Sequence, residues 1–395
     1  MSKKLLAALG AIVVLSLVLS GCVTPTPETI VETVIVEKTV ETIVEKTVEV
    51  IKEVTPEPTA EPDAGPKTLV VCQGQEPETL YINGGSMLAS SHVLEAVYDG
   101  PIDNRTYGFQ PVILEKLPSF DDGGAVLETV TVQEGDMVVD DSGVAVELAA
   151  GMMVRPSGCL AADCAVEFTG DPVEMDQIVA TFVMVDGLMW SNGDPLTADD
   201  SVYAFEVGAD PDTPSSKYTV DRTASYEAVD DKTAVWTGLP GYIDSVYFTN
   251  FWNPLPRKLW QEELGLTAAD MLEAEESSRM PMGWGPFIIT EWVSGDHITV
   301  EKNPNYFRAS EGLPYVDKVI YRFIPESNAV VAQLISGECD IGDQTAHLDD
   351  QSELLLKLEQ QGVINPTFVT GTVWEHVDFG INPVEEYDRP DFFED

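Results

Sequence analysis

The chain is poor in positive charge and in histidine, and both shortages limit what it can do. Lysine and arginine together number 21 against 68 acidic residues, which gives a formal net charge of −47. A surface this acidic repels nucleic acid and anionic lipid, so we expect neither as a partner. The four histidines form no HExxH or HxxxH pair, so the sequence predicts no metal site.

The sequence also lacks the short motifs that mark common catalytic sites. After residue 22 it contains no G-x-S-x-G turn, no phosphate-binding loop and no dinucleotide fingerprint. Neighbouring acidic residues such as Asp199 and Asp200 diverge on a helix or strand, which is typical of helix starts and turns. No Asp-rich stretch has the glycine and the final glutamate of a calcium loop. We therefore expect a protein that is not an enzyme and needs no cofactor.

Only the first residues contain a long apolar run. Lys3 and Lys4 precede Leu5–Leu19, which is too short for a comfortable membrane span and has the length of a signal-peptide core. The run ends in Leu-Ser-Gly-Cys22, which resembles a bacterial lipobox. We predict a lipoprotein signal peptide over residues 1–22, with Cys22 as the lipidated residue; the alternative is an ordinary signal peptide with a chance cysteine. The protein would then be exported and anchored by lipid to the outer face of the bacterial cell membrane.

Residues 23–66 differ sharply in composition from the rest of the chain. They are rich in Thr, Val, Glu and Pro, and Val36–Val40 recurs as Val44–Val48. The β-branched residues disfavour an isolated helix, and the prolines after residue 54 stiffen the chain. We interpret this segment as a stalk followed by a linker, although a specific partner for it is an alternative.

Four cysteines remain after Cys22. Cys159 and Cys164 are five positions apart in an exported protein, where a disulfide can form and persist. No histidine with ligand spacing lies near them, which disfavours zinc. The sequence predicts a local disulfide between these two residues and assigns no pairing to the others.

A turn and a helix start lie within residues 191–206. Gly193 and the following Asp-Pro predict a turn. Thr197 has the position of an N-cap, and its backbone amide is expected to donate to the Asp200 carboxylate. Beyond the cap, Ala198, Val202 and Phe205 share one face.

Residues 283–343 predict alternating strands and a helix. Two apolar segments around a Ser-Gly-Asp turn, residues 287–292 and 298–301, form a β-hairpin pattern. Residues 315–324 alternate as a further strand, with Val316, Val319, Tyr321 and Phe323 mostly two positions apart. A helix capped by Ser327 or Asn328 follows and closes at Gly337, before a short strand. This order predicts a mixed α/β fold.

Together these segments resemble the extracellular solute-binding proteins of the peptide/nickel class (family 5), which are receptor subunits of ABC importers. The order and spacing of several pieces support the resemblance more than any single piece. The matching pieces are residues 190–200 (WSNGDPLTADD), 283–292 (GWGPFIITEW), 303–306 (NPNY), 315–318 (YVDK) and 334–341 (LISGECDI), with a weaker match from residue 67 to residue 100.

The resemblance implies an α/β, periplasmic-binding-protein-like two-lobed fold of type II, in the peptide-binding cluster. Domain I would comprise residues 67–106 and 226–325, domain II residues 107–225, and a partial domain III residues 326–395. Residues 120–175 exceed the family pattern and are interpreted as an insertion. The family pattern continues past residue 395, so we expect an incomplete C-terminal lobe that leaves Val330, Leu334 and Leu354–Leu356 without packing partners.

The resemblance also implies a receptor that captures a peptide or another small solute in a cleft and delivers it to ABC permease subunits, and we expect a monomer. Aromatic side chains suit such a cleft because they offer large rigid contact surfaces. Two alternatives remain, a stalked surface adhesin or signalling module and a secreted metal-dependent hydrolase. Carried over by position, the residues expected to face the ligand are Ser86, Met87, Leu88, Ala89, Tyr218, Trp252 and Trp374.

Overall fold

The computed structural model describes residues 66–104, 107–160 and 162–369, which form a mixed α/β structure. Contacts divide the chain into two compact units, one ending at Leu348 and the other beginning at Asp349. The second unit contains one α-helix within its described residues, and all strands described below lie in the first. Within the described part of the chain, no helix combines the length and hydropathy that a membrane crossing requires.

The strands and helices are numbered in chain order. The strands are β1 Thr68–Gln73, β2 Ile102–Asp103, β3 Gln110–Pro111, β4 Ala125–Val132, β5 Met137–Val139, β6 Ala145–Glu147, β7 Met153–Val154, β8 Val166–Glu167, β9 Val173–Val183, β10 Thr223–Ala228, β11 Thr233–Gly238, β12 Phe287–Val293, β13 His297–Lys302, β14 Lys318–Phe323 and β15 Ile341–Gly342. The α-helices are α1 Leu88–Val97, α2 Ala198–Ala209, α3 Glu275–Ser278, α4 Ser327–Ser336 and α5 Ser352–Gln360.

The first sheet has five strands in the order β12-β13-β14-β1-β15. The predicted hairpin is confirmed as the antiparallel pair β12 and β13, and β14 continues the antiparallel pairing. The predicted alternation in β14 is also confirmed, because Val319, Tyr321 and Phe323 are buried on one face. β1 runs parallel to both β14 and β15, so the carboxyl ends of these three strands meet at one edge.

The second sheet is antiparallel throughout and has the order β10-β11-β9-β4. Its inner face buries Ile178, Phe182 and Trp236 in the same core that the first sheet uses. The predicted boundary between domains I and II, at residues 225 and 226, falls inside β10. β10 and β11 pair in one sheet with β9 and β4, which lie in the predicted domain II; the domain limits stay a prediction.

The helix predicted after Thr197 is confirmed as α2. The Thr197 amide donates to Asp200 Oδ2 at 2.9 Å, and Gly193 has the positive φ of a turn, +90°. Ala198 is fully buried, and Val202 and Phe205 pack against the core. The buried Asp200 carboxylate also accepts from Trp190 Nε1 at 3.2 Å and from the Arg257 amide at 3.1 Å, so it joins the helix start to neighbouring segments.

The helix α4 is confirmed, with one correction at its start. Its N-cap is Glu326, and Ser327 instead donates its hydroxyl to the Ala346 carbonyl at 2.7 Å. The expectation that Val330 and Leu334 would lack partners is wrong. Val330 is fully buried and Leu334 packs beside it, in a cluster that also contains Cys72, Cys339 and Ala346.

Residues 120–175 build a small β-rich layer with its own core. Along the chain, the hairpins β5-β6 and β7-β8 come between the long strands β4 and β9, which pair with each other. The buried residues of this core are Val132, Val138, Leu148, Val154, Phe168 and Met175.

Candidate functional site

The pieces that carry the family resemblance pack against one another. The rings of Trp190 and Trp284 meet at 5.5 Å in an edge-to-face arrangement, and the Ser191 amide donates to the Gly283 carbonyl at 2.9 Å. Asn305 Nδ2 donates to the Ser191 carbonyl, also at 2.9 Å. These residue types are therefore explained by scaffold contacts.

The glycines of the Gly-Trp-Gly-Pro stretch are required by a close approach to the end of α1. A Cβ at Gly283 would lie 2.1 Å from the Val97 carbonyl oxygen, and one at Gly285 would lie 2.6 Å from it. The Gly285 amide donates to that same carbonyl at 2.7 Å. Any side chain at either position would displace α1, so this stretch holds the helix that begins at the predicted ligand loop.

Residues 86–89 lie at the start of α1, which follows the carboxyl end of β1. Ser86 and Leu88 are exposed, Met87 occupies the N-cap position, and Ala89 is fully buried. In open α/β sheets, ligands bind outside the carboxyl ends of strands. Ser86 and Leu88 have the exposure that ligand contact requires, whereas Ala89 packs, and its carbonyl accepts from Gln73 Nε2 at 3.3 Å.

A polar network that the sequence did not reveal lies beside this loop. His92 Nδ1, on α1, is 2.6 Å from Oδ2 of Asp343, which follows β15. Gln73 Nε2, at the end of β1, donates to the same oxygen at 3.0 Å, and Thr345 donates its amide to Oδ1 at 2.9 Å. One carboxylate therefore joins α1, β1 and the segment after β15.

The contact between His92 and Asp343 favours the charged form of each residue. The hydrogen bond to Asp343 raises the pKa of His92 above its ordinary 6.5, against the opposing effect of burial. Burial acts to raise the pKa of Asp343, but the hydrogen bonds from His92, Thr345 and Gln73 outweigh it and leave that pKa below 3.8. Both shifts therefore favour the charged forms of His92 and Asp343.

Tyr218 and Trp252 are placed differently from each other. The Tyr218 ring is exposed (58%) and stacks on the Arg222 guanidinium, whose Cζ lies 3.8 Å from the ring centroid. Trp252 is half-buried and packs at 4.8 Å against both Phe205 and Tyr226. The two rings have different neighbours, so these contacts do not join them in one site. Their roles as ligand contacts stay predictions; Trp374 and Cys22 lie outside the described residues.

The structure contains two disulfides in its described part. One joins Cys159 to Cys164, the pair that the sequence predicts. The other joins Cys72 in β1 to Cys339, just before β15, and it was missed because 267 positions separate the two cysteines. The apolar stretch Leu69–Cys72 in β1 and the Gly-Glu-Cys-Asp piece before β15 were the local signals for it.

A cavity of about 430 Å³ opens near the end of α1. Two of its charged side chains form an ion pair, Arg308 with Glu311 at 3.0 Å, and Asp186 pairs with Lys232 at 2.8 Å. In residues 66–369, apart from the gaps, no three His, Cys, Asp or Glu side chains are grouped to hold a metal ion. The cavity is lined by Asp99, Asp103, Gln110, Pro111, Val112, Val185, Asp186, Phe307, Arg308 and Glu311.

Comparison with known proteins places these features in a family. The family model of bacterial extracellular solute-binding proteins, family 5 middle region, matches residues 169–379, more than half of the 395-residue chain. The oligopeptide-binding protein AppA of Bacillus subtilis is 36% identical over 161 residues, which are 38% of this chain and 27% of that protein. The dipeptide-binding protein DppE of the same organism is 29% identical over 197 residues, 45% of this chain and 34% of that protein.

Solved structures with a similar chain include an oligopeptide-binding protein from Thermus thermophilus complexed with a pentapeptide. It is 19% identical, with a TM-score of 0.49, over 70% of this chain and 44% of that one. The match to the two Bacillus relatives spans about a third of their length or less. The family match confirms the type II periplasmic-binding-protein-like α/β fold predicted from the sequence. The chain belongs to the bacterial extracellular solute-binding proteins of family 5.

Proposed function

We propose that this protein is the substrate-binding lipoprotein of an ABC importer, which captures a peptide or a related small solute and presents it to the permease. The observation that carries the proposal is the family match over residues 169–379. The names of the two Bacillus relatives, oligopeptide-binding and dipeptide-binding, favour peptides as the first class of solute to test.

The structure supports this function through the separation of scaffold from open surface. The stretches that carry the family resemblance contact one another and fix α1, whereas Ser86 and Leu88 at the start of α1 remain exposed. A binding protein needs such a rigid support, because affinity is lost when the contacting groups must first be ordered. Ligand-driven closure would then be a population shift, biased by contacts formed only in the closed state.

The proposed function includes no chemical step on the solute. The members of the family are binding proteins, and the side chains at the start of α1 are suited to contact and not to bond cleavage. His92 is the titratable group nearest to this loop along α1, and its Nδ1 is engaged by Asp343. We therefore assign binding, and no catalysis, to this part of the molecule.

The function can be tested by thermal unfolding in the presence of solute pools. We expect a pool of di- to oligopeptides to raise the melting temperature, because a ligand at 100 times its Kd stabilises the folded state by about 2.7 kcal/mol. A pool of mono- and disaccharides at the same osmolality is the control. A rise in melting temperature with the saccharides alone would identify the solute as a sugar and not a peptide. No change in melting temperature with any small-solute pool would contradict the receptor function.

A further inference from the structure

The imidazole of His92 has one engaged nitrogen and one open nitrogen. Nδ1 bonds to Asp343 Oδ2 at 2.6 Å. Nε2 has no hydrogen-bond partner among the described residues, and it is not fully buried. With the side chain 24% exposed, this nitrogen faces solvent. The hydrogen bond to Asp343 raises the pKa of His92 and so favours the protonated imidazole, in which Nε2 is a charged N–H donor on the side of the ring away from Asp343.

The start of α1 has unused donors as well. Met87 provides no side-chain cap, and the first turn contains no acidic residue, so the positive end of the helix is not compensated locally. Ser90, in that first turn, is 4% exposed, and its hydroxyl has no partner among the described residues. Helical Cα–Cβ bonds lean toward the N-terminus, so the Ser90 Cβ leans toward the start of α1.

His92 and the first turn belong to the same surface. A helical side chain covers the turn before its own Cα, so the ring of His92 lies over the turn that contains Leu88 and Ala89. Gln73 Nε2 ties this turn to the network, since it donates both to the Ala89 carbonyl and to Asp343. Leu88 is exposed, so a solute can approach this surface.

Resting on the proposed receptor function, we propose that His92 and the first turn of α1 form a subsite for a carboxylate group of the captured solute. The Nε2–H of His92 donates one charge-assisted hydrogen bond, and the free amides of the first turn donate to the second oxygen. Asp343 orients the ring and is a positioning residue.

The charges around the ring determine the kind of recognition. Asp343 faces it from the segment after β15, Glu95 acts on it from α1 itself, and the Tyr321 hydroxyl of β14 donates to the His92 carbonyl at 3.3 Å. These two carboxylates oppose the long-range attraction of an imidazolium for anions. The subsite therefore selects by short hydrogen bonds, and it loses its charged donor when alkaline pH deprotonates His92.

The direct test follows the histidine ring signals by NMR while sodium acetate is added to the exported chain. His297 is the matched control, because both of its ring nitrogens already face carboxylates, Asp296 at 3.0 Å and Glu291 at 3.4 Å. We expect a saturable shift of the His92 signals with acetate and none with methylammonium chloride at equal ionic strength. Movement of His92 no larger than that of His297 would overturn the proposal.

A second experiment separates this subsite from the receptor function itself. His92→Gln preserves a hydrogen-bond donor toward Asp343 and removes the charge. We expect it to lower the affinity for a peptide with a free carboxylate about tenfold more than the affinity for the same peptide as its amide. Equal affinities of the variant and the unaltered protein for both peptides would refute the subsite and leave the receptor function standing. If no peptide binds the unaltered protein, the acetate titration still decides the subsite.

Discussion

At the scale of single residues, burial separates the predicted ligand contacts into two kinds. Ser86, Leu88 and Tyr218 are exposed, whereas Ala89 is buried and Trp252 is half-buried among aromatic rings. The sequence proposes these positions as ligand contacts but does not give their exposure, because exposure depends on which distant segments pack against each one. Substitution can therefore distinguish residues that support the fold from residues that remain open to a solute.

Trp252 and Tyr218 form a matched pair for this distinction. We expect Trp252→Ala to lower the free energy of unfolding by about 3 kcal/mol, because it removes the ring between Phe205 and Tyr226. Tyr218→Ala should change it by less than about 1 kcal/mol, since its ring lies at the surface. Urea unfolding of both variants measures the difference, and Trp252→Phe is the control that retains a ring. Equal losses for the two alanine variants would contradict the assignment.

At the scale of elements, the first sheet is held by a covalent bond and an ion pair at the same place. The Cys72–Cys339 disulfide joins β1 to the turn before β15, and the Asp340 carboxylate accepts from the Val70 amide at 2.8 Å. Asp343 then binds His92 of α1. These contacts fix β15 against β1 although β15 is only two residues long.

The two disulfides should differ in their effect on stability. Closing a loop of five positions removes chain entropy worth about 2 kcal/mol, whereas the separation of 267 positions corresponds to roughly 5 kcal/mol. We expect the Cys72→Ser, Cys339→Ser double variant to unfold at clearly lower urea than the Cys159→Ser, Cys164→Ser double variant. The same transition midpoint for both would show that the long-range disulfide contributes no more than the local one.

The ion pair between α1 and the segment after β15 should make stability depend on pH. The pKa of His92 is raised above 6.5, so its contribution is complete below 6.5 and is lost as the pH rises through the higher folded value. The pKa of Asp343 is lowered below 3.8, so its contribution is complete above 3.8 and is lost as the pH falls through the lower folded value. The pair therefore stabilises the fold most between about pH 4 and pH 6.5.

Urea unfolding of the unaltered protein and of Asp343→Asn across this range checks the effect. In the variant, the part of the alkaline decline that belongs to His92 should disappear. An unchanged alkaline decline would mean that the loss of stability comes from other groups.

Elements with local signals could be predicted from the sequence, and elements that depend on distant pairing could not. The capping of α2 by Asp200 and the β12-β13 hairpin are confirmed, because both rest on residues a few positions apart. The burial of Val330 and the Cys72–Cys339 disulfide could not be read, because both require β1 and β15 to meet. The same holds for His92 and Asp343, which are 251 positions apart.

At the scale of the whole molecule, family membership is shown while attachment to a membrane remains a prediction. Cys22 lies outside the described residues, and its lipidation rests on the signal sequence. We expect Cys22→Ser to release the protein into the medium or periplasm, because acyl chains would supply the membrane affinity. Fractionation after washing without detergent measures this, and a variant that stays with the membrane would contradict the lipid anchor.

The central claim is that the chain is a receptor for a small solute, and calorimetric titration with the peptides that raise the melting temperature tests it most directly. The account predicts saturable heat with one solute per chain and a negative heat-capacity change, because the solute buries apolar surface when it binds. The Tyr218→Ala variant should bind more weakly with unchanged stoichiometry if its exposed ring contacts the solute. Heat that never saturates, for any peptide and at any temperature, would contradict the account.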